Sequence, residues 1–328
     1  MDGTVPSPKK LAFSSQKGGV GKTTTTLNVA AQLAMWGSRV VIIDFDPQAQ
    51  VTAGLGLDVL PKEQTIHAAL TLFNMNLPVD LGTYLLDRSD LIRDAGGAGE
   101  LYVIGTNTET MAELSDWVSS SRRSDKSMLL ATTCLRRFVD QYLQDVDYVL
   151  FDTPPTTNQL NALALAASDY VVGVAESKYA SYSGVVALYE QTQLVPSSTG
   201  NTCHPVFLGT LLNETPSKKT RQAKDMRTML GGTADGDEEL EGLTDDSVDP
   251  PAEDSADAIP AQADGSETNL AVFDSFIGAS ELISGAYALG QPAVLLHPNR
   301  QLAEHYGGFT TEVFQRIEEH RAFAEAAE

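Results

Sequence analysis

The chain has 328 residues, 42% of them hydrophobic, which is enough for one large α/β domain or two ordinary ones with a sizeable core. Its formal net charge is −22, an unusual balance for a protein that touches DNA, and its two cysteines, Cys134 and Cys203, are far apart in sequence. Together these features argue against a disulfide scaffold or an iron–sulfur cluster and point to a reducing compartment. No apolar run approaches the ~20 residues that span a bilayer. The polar start, Met1 to Lys10, predicts no secretory signal.

Leu11-Ala12-Phe13-Ser14-Ser15 reads as a short buried strand. A glycine-rich turn, Gln16-Lys17-Gly18-Gly19-Val20-Gly21-Lys22-Thr23-Thr24, follows it, and a helix with apolar residues at 27, 30, 31, 34 and 35 comes next. Strand, glycine turn, Lys-Thr and helix form the layout of a phosphate-binding loop. Glycines let backbone N–H groups converge on phosphate oxygens, and the helix N-terminus adds free donors and partial positive charge. In that layout Lys22 reaches the β- and γ-phosphates and the Thr23 hydroxyl ligates Mg²⁺. The loop departs from G-x-x-x-x-G-K-[ST] by placing Gln16 where glycine is usual and by adding Lys17.

Arg39 to Asp44 reads as a second buried strand and runs into Asp44-Phe45-Asp46-Pro47-Gln48. Carboxylates at the C-terminal end of a parallel strand stand where α/β sheets bind ligands. Residues 58–100 show little pattern beyond a short helix, Thr65 to Leu70. A strand at 101–104, a helix from Thr108 to about Val118 and an amphipathic helix over 127–144 follow. That last helix has Leu129, Leu130, Thr133, Leu135, Phe138 and Tyr142 as its apolar candidates. Asp147 to Asp152 has the form of a Walker B strand, whose terminal Asp152 holds Mg²⁺ through water, and Thr153-Pro154-Pro155 adjoins it.

The form Lys-Gly-Gly-Val-Gly-Lys-Thr-Thr resembles the deviant Walker A box of the ParA/MinD family of ATPases, and Asp-Phe-Asp-Pro-Gln and Asp-Thr-Pro-Pro resemble its next two boxes. The resemblance covers about Lys10 to Arg321, apart from an acidic stretch. It implies a doubly wound, mostly parallel α/β sheet flanked by helices. It also implies ATP and Mg²⁺ as cofactors, an ATP-sandwich homodimer, and slow hydrolysis stimulated by a ParB-like or other cargo-adaptor protein. In the family's terms Lys17 contacts phosphate held by the opposite subunit and Asp46 orients the attacking water. Asp44 then assists near Mg²⁺ through water, beside the metal-holding Thr23 and Asp152, while Gly18, Gly19, Val20, Gly21, Lys22, Thr23 and Thr24 cradle the nucleotide.

Strands follow at 170–174 and 207–213, with Glu176 and Gly184 also on the family pattern. The second strand ends in Asn213, whose amide suits an adenine edge or simply terminates the strand. Residues 218–227 hold five cations and one acid. Lys218, Lys219, Arg221 and Lys224 are either a non-specific DNA-binding surface, as the resemblance implies, or a solvated helix face. From 231 to 268 thirteen carboxylates occur with no Lys or Arg, leaving −9 for all other residues. A composition so poor in large apolar residues predicts a disordered insertion. The acidity fits either a halophilic cytoplasm or an acidic tail acting on a basic partner.

After that stretch a strand is predicted over 270–277. It is followed by Ile277-Gly278-Ala279 where the family shows Ile-Pro-Arg, and a helix runs from Gln301 to His320. The expected organisation is a tail at 1–9, one ATPase domain from 10–230 and 269–321, the insertion at 231–268, and a C-terminal tail at 322–328. The function implied is partition or positioning of a plasmid, chromosome or other cargo in a cytoplasmic, nucleoid-associated setting. Two alternatives stand beside it: a MinD-like positioning ATPase, disfavoured by the acidic C-terminus, and an ATP-binding module that sequesters a protein factor. An iron–sulfur relative of the nitrogenase-reductase kind is not expected from the cysteine placement.

Overall fold

The apolar runs become the centre of one sheet. A computed structural model describes residues 7–121, 125–155, 159–213, 221–231, 270–298 and 300–327. Among these, eight strands are present: β1 (Lys9–Ser14), β2 (Arg39–Asp44), β3 (Leu86–Asp87), β4 (Glu100–Ile104), β5 (Tyr148–Asp152), β6 (Tyr170–Glu176), β7 (Val206–Asn213) and β8 (Val272–Phe276). Their order is β3-β4-β2-β5-β1-β6-β7-β8. Every pairing is parallel except that of the two-residue β3 with β4. The chain winds outward from β1 to one side, returns through β5, and then builds the other side through β6 and β7. A crevice for ligand therefore opens beside the C-terminal end of β1.

Fourteen α-helices accompany the strands among the described residues. The first six are α1 (Lys22–Met35), α2 (Gln50–Gly54), α3 (Ile66–Asn74), α4 (Leu81–Tyr84), α5 (Ser89–Asp94) and α6 (Thr108–Ser120). Then come α7 (Asp125–Thr132), α8 (Cys134–Tyr142), α9 (Gln159–Ala167) and α10 (Tyr182–Ser198). The last four are α11 (Arg221–Met229), α12 (Glu281–Ala288), α13 (Ala293–Leu296) and α14 (Gln301–Ala327).

Alternation along the strands divides the core in two. Leu11, Phe13, Val40, Ile42 and Leu150 face α1, α13 and α14, where Leu27, Ala30, Ala31, Tyr306 and Phe309 cover them. Ala12, Val41, Ile43, Val149 and Phe151 face the opposite way, onto Met111 and Leu114 of α6, Leu135 and Phe138 of α8, and Leu160 and Leu163 of α9. The period of two places successive side chains on opposite faces, so a strand covered on both sides reads as continuously apolar. β8 lies beyond the acidic stretch in sequence yet pairs in parallel with β7, so the chain on both sides of that stretch shares one sheet.

Two expectations change. The helix predicted over 127–144 is broken at Thr133 into α7 and α8. Thr132 and Thr133 turn their hydroxyls back to the carbonyls of Met128 and Leu129, the second at 2.8 Å, and such back-bonding by β-branched residues bends a helix. Leu130, predicted as part of the apolar face, is exposed. At the C-terminus, the helix predicted to end near His320 continues to Ala327, its last turns exposed. The acidic residues 232–268, Lys218, Lys219 and the first six residues lie outside the described set.

Two glycines offer a direct check on the packing. A Cβ on Gly99 would stand 2.3 Å from the Ser38 carbonyl oxygen and 2.4 Å from that of Ala34, both backbone atoms at the end of α1. Gly99→Ala is expected to destabilise by about 1–3 kcal/mol. Gly285, exposed within α12, has nothing within 4 Å of the same position, so Gly285→Ala should stabilise by about 0.5–1 kcal/mol through helix propensity. Urea midpoints moving in opposite directions would bear this out, and a neutral Gly99→Ala would refute the packing at the α1 terminus.

Candidate nucleotide site

Three strand ends meet at the loop. β5 lies between β2 and β1, with Asp44 and Asp152 paired in register and Phe13 paired with Asp152 on the other side. The loop leaves β1 and enters α1 through Gly21, whose φ of 89° requires glycine. No side chain caps α1 and its first turn carries no acid, so the helix N-terminal donors face the loop without a competing anion of their own. Asn213, at the end of β7, buttresses the turn: its Nδ2 donates to the Val20 carbonyl at 2.7 Å. A Cβ on Gly21 would fall 1.8 Å from that nitrogen, so sterics and dihedral select glycine together. Gly18 and Gly19 are exposed on the rim, and Pro155 of the Asp-Thr-Pro-Pro box lies against Gly18.

Inside the loop the charges are buried. Thr23 Oγ1 donates to Asp152 Oδ2 at 2.7 Å, and Thr26 Oγ1, one turn later on the same face, donates to Asp152 Oδ1 at 3.3 Å. Lys22 is buried, with Nζ donating to the Lys17 carbonyl at 3.3 Å. Burial pushes its ammonium below the ordinary lysine range, against the pull of the Asp152 and Asp46 charges. Asp44 Oδ2 accepts from the Thr52 amide (3.1 Å) and hydroxyl (3.0 Å), and its Oδ1 accepts from the Asp46 amide (3.2 Å). Asp46 Oδ1 in turn accepts from the Gln48 amide at 2.9 Å, and Asp46 itself is buried. Thr24 is half-buried in the first turn of α1, where its carbonyl accepts from Asn28 Nδ2 at 2.8 Å.

The donor set suits phosphate and a hydrated divalent cation. Burial raises the Asp152 carboxyl well above the usual range, the neighbouring Asp44 and Asp46 charges raise it further, and the Thr23 bond and Lys22 oppose them. Asp44 is pushed up to about 7, again chiefly by burial. Carboxylates that repel one another in a buried site gain most from a cation, and Thr23 and Asp152 already touch at the place where one would sit.

The structure thus brings Lys22, Thr23, Asp44, Asp46 and Asp152 together, while Lys17 stands apart on the rim. Sequence reasoning missed Thr26 and Thr52, although Thr26 sits at helical spacing from Thr23. It also missed the Asn213 buttress, since nothing local in a strand end shows which loop it will meet. Of the basic stretch, Lys224 is exposed on α11, and only the backbone of Arg221 is described, at the first position of that helix. Arg227 is not a surface cation: it is buried and donates to the Asp274 carbonyl at 3.2 Å, so it clasps α11 to β8.

Because the Asp44 and Asp152 carboxyls hold protons more tightly folded than unfolded, their penalty is absent below about pH 4. It grows as pH rises toward 7 and is complete above the folded value. Ligand-free protein should therefore lose more stability between pH 5 and pH 8 than Asp44→Asn does, by a few degrees in Tm. Equal pH slopes in thermal melts of the two proteins would overturn the assignment.

Residues 8–203 match the family described as an AAA domain. The chain is 32% identical over 189 residues to the sporulation initiation inhibitor protein Soj of Bacillus subtilis, an alignment covering 57% of this chain and 66% of that protein. To the chromosome-partitioning ATPase Soj of Thermus thermophilus it is 33% identical over 181 residues, covering 55% and 59%. The matched region thus spans less than two thirds of either relative's length. Among solved structures, apo McdA of Cyanothece superposes with a TM-score of 0.66 at 18% identity, covering 93% of this chain and 99% of that one. MinD of Pyrococcus horikoshii superposes with 0.59 at 15% identity, covering 93% and 96%. Such low identities speak for the fold alone. The fold, the family match and the three boxes meeting at adjacent strand ends agree: the chain belongs to the AAA-domain family.

Proposed function

We propose that this protein is a Mg²⁺-dependent ATPase switch that dimerises on ATP, binds DNA without sequence preference, and positions a plasmid, chromosome or other cargo. The observation that carries this reading is the placement of two lysines on one loop: Lys22 buried beside Asp46 and Asp152, Lys17 on the rim. Lys22 and the α1 N-terminus neutralise phosphate charge within the subunit. Lys17, half-exposed on the rim, is the lysine left for the nucleotide that a second copy would bring. Thr23 and Asp152, with Asp44 behind them, would hold Mg²⁺, which would supply shielding of the phosphate charge.

Asp46, fixed by the Gln48 amide, orients the attacking water. Among the described residues Asn213 Oδ1 is buried with no hydrogen-bond partner, and it is the atom left to accept from an adenine amine. Solved structures of related folds carry nucleotide, including a variant of Cyanothece McdA with ATP and MinD with Mg-ADP, and this supports ATP and Mg²⁺ here. No described helix is long and apolar enough to cross a membrane. The exposed end of α14 carries Glu318, Glu319 and Glu325, which does not favour a membrane-binding helix over a cytoplasmic, nucleoid-associated role with a ParB-like or other adaptor protein.

Lys22→Ala should abolish ATP binding in calorimetry, whereas Asp46→Ala should bind ATP as the parent does and lose at least about 100-fold in turnover. Equal ATP affinity of Lys22→Ala and the parent would refute the reading. Replacing Lys218, Lys219, Arg221 and Lys224 by Ala should weaken ATP-dependent DNA binding and flatten its salt dependence by about one phosphate contact per side chain lost from the interface. An unchanged salt slope would place the DNA surface elsewhere on the fold.

A further inference from the structure

Lys17 is on the rim, but its ammonium is already engaged. It lies 2.7 Å from Glu176 Oε2, at the C-terminal end of β6. The Glu176 side chain is 13% exposed and that of Lys17 43%. A second ammonium, that of Lys178, reaches the same oxygen at 3.2 Å. Backbone geometry holds it there: the Lys178 amide donates to the Glu176 carbonyl at 2.8 Å, and the Ser181 amide donates to the Lys178 carbonyl at 2.9 Å. The first turn of α10 also packs on the start of the loop, since a Cβ on Gly184 would sit 3.8 Å from Gln16 Cβ. The two residues that distinguish this loop from the ordinary pattern therefore lean on flanking points, Lys17 on the end of β6 and Gln16 on the start of α10.

We propose that Glu176 is a positioning residue that parks Lys17 inside its own subunit, and that Lys178 replaces Lys17 on the carboxylate when Lys17 leaves for phosphate bound by a second copy. The proposal rests on the reading of Lys17 given under Proposed function. Its physical basis is that a largely buried carboxylate stripped of its cation is costly. With Lys178 already on the same oxygen, the exchange leaves no unpaired charge. Glu176 thus raises the threshold for ATP-dependent dimerisation, and Lys178 lowers it.

The two substitutions should act in opposite directions. Glu176→Gln removes the ion pair, so the ATP concentration for half-maximal dimerisation should fall about two- to fivefold. Lys178→Ala strands the carboxylate when Lys17 departs, so that concentration should rise by a similar factor. The double variant should behave as Glu176→Gln, because Lys178 acts only through the carboxylate. If Glu176 merely supported the fold, both single variants would move the threshold the same way, and that result overturns the proposal.

Carbodiimide coupling, which condenses a carboxylate with an amine in contact, reads the exchange directly by peptide mass spectrometry. Nucleotide-free protein should give a Lys17–Glu176 link. Mg²⁺ with a non-hydrolysable ATP analogue should deplete that link and enrich Lys178–Glu176, and unchanged yields would overturn the proposal. Lys17→Ala separates the two levels. Loss of dimerisation in Lys17→Ala with no shift in the other variants refutes the exchange alone, whereas parental dimerisation of Lys17→Ala refutes the underlying reading of Lys17 as well.

Discussion

The contact between the Thr23 hydroxyl and the buried Asp152 carboxylate is the constraint on which the rest of the site depends. It ties the first turn of α1 to the end of β5, two elements more than a hundred residues apart in the chain. Around it sit two further buried aspartates and one buried lysine. Such a group of like charges is unfavourable in a protein interior unless donors surround it. The molecule supplies those donors from α1, from Thr52 of α2 and from backbone amides after β2. A cation and a phosphate anion brought among these groups would offset their charges.

The sheet makes this arrangement possible by being dull elsewhere. Its central strands are apolar on both faces, and α1 is covered along nearly its whole length. A rigid, doubly covered core fixes the strand ends to within the tolerance that phosphate chemistry demands. Polar functional groups are then confined to the C-terminal edge, where the backbone must turn in any case. Gly21 shows how tightly the edge is built: one position must supply a left-handed backbone and leave room for the Asn213 amide at once.

The β6–α10 connection extends the site sideways. Glu176 is paired in register with Asn213, so the residue that holds Lys17 and the residue that buttresses Val20 end adjacent strands. The rim and the interior of the loop are therefore anchored to neighbouring points on the sheet edge. Lys17 and Lys22, five residues apart, accordingly sit in different electrostatic surroundings, one against a single carboxylate with a rival lysine, the other among buried aspartates.

Much was legible in the sequence because phosphate binding is a local problem. Glycines at fixed spacing, a lysine and threonine at a helix start, and aspartates closing apolar runs disclose themselves without knowledge of the fold, since each requirement is met within a few residues of chain. The mostly parallel sheet was legible for a related reason: strands buried on both faces lose the polar alternation of exposed ones. What only the tertiary structure decided involves residues distant in sequence. Asn213 meets Val20, Glu176 meets Lys17, and Arg227, which reads as one more cation of a basic helix, turns inward to the Asp274 carbonyl. The break at Thr133 and the two-residue β3 escaped a reading by periodicity because neither lasts long enough to set a period. Spacing reports what a segment needs from its own neighbours, and side-chain pairing across strand ends depends on which strands the fold sets side by side.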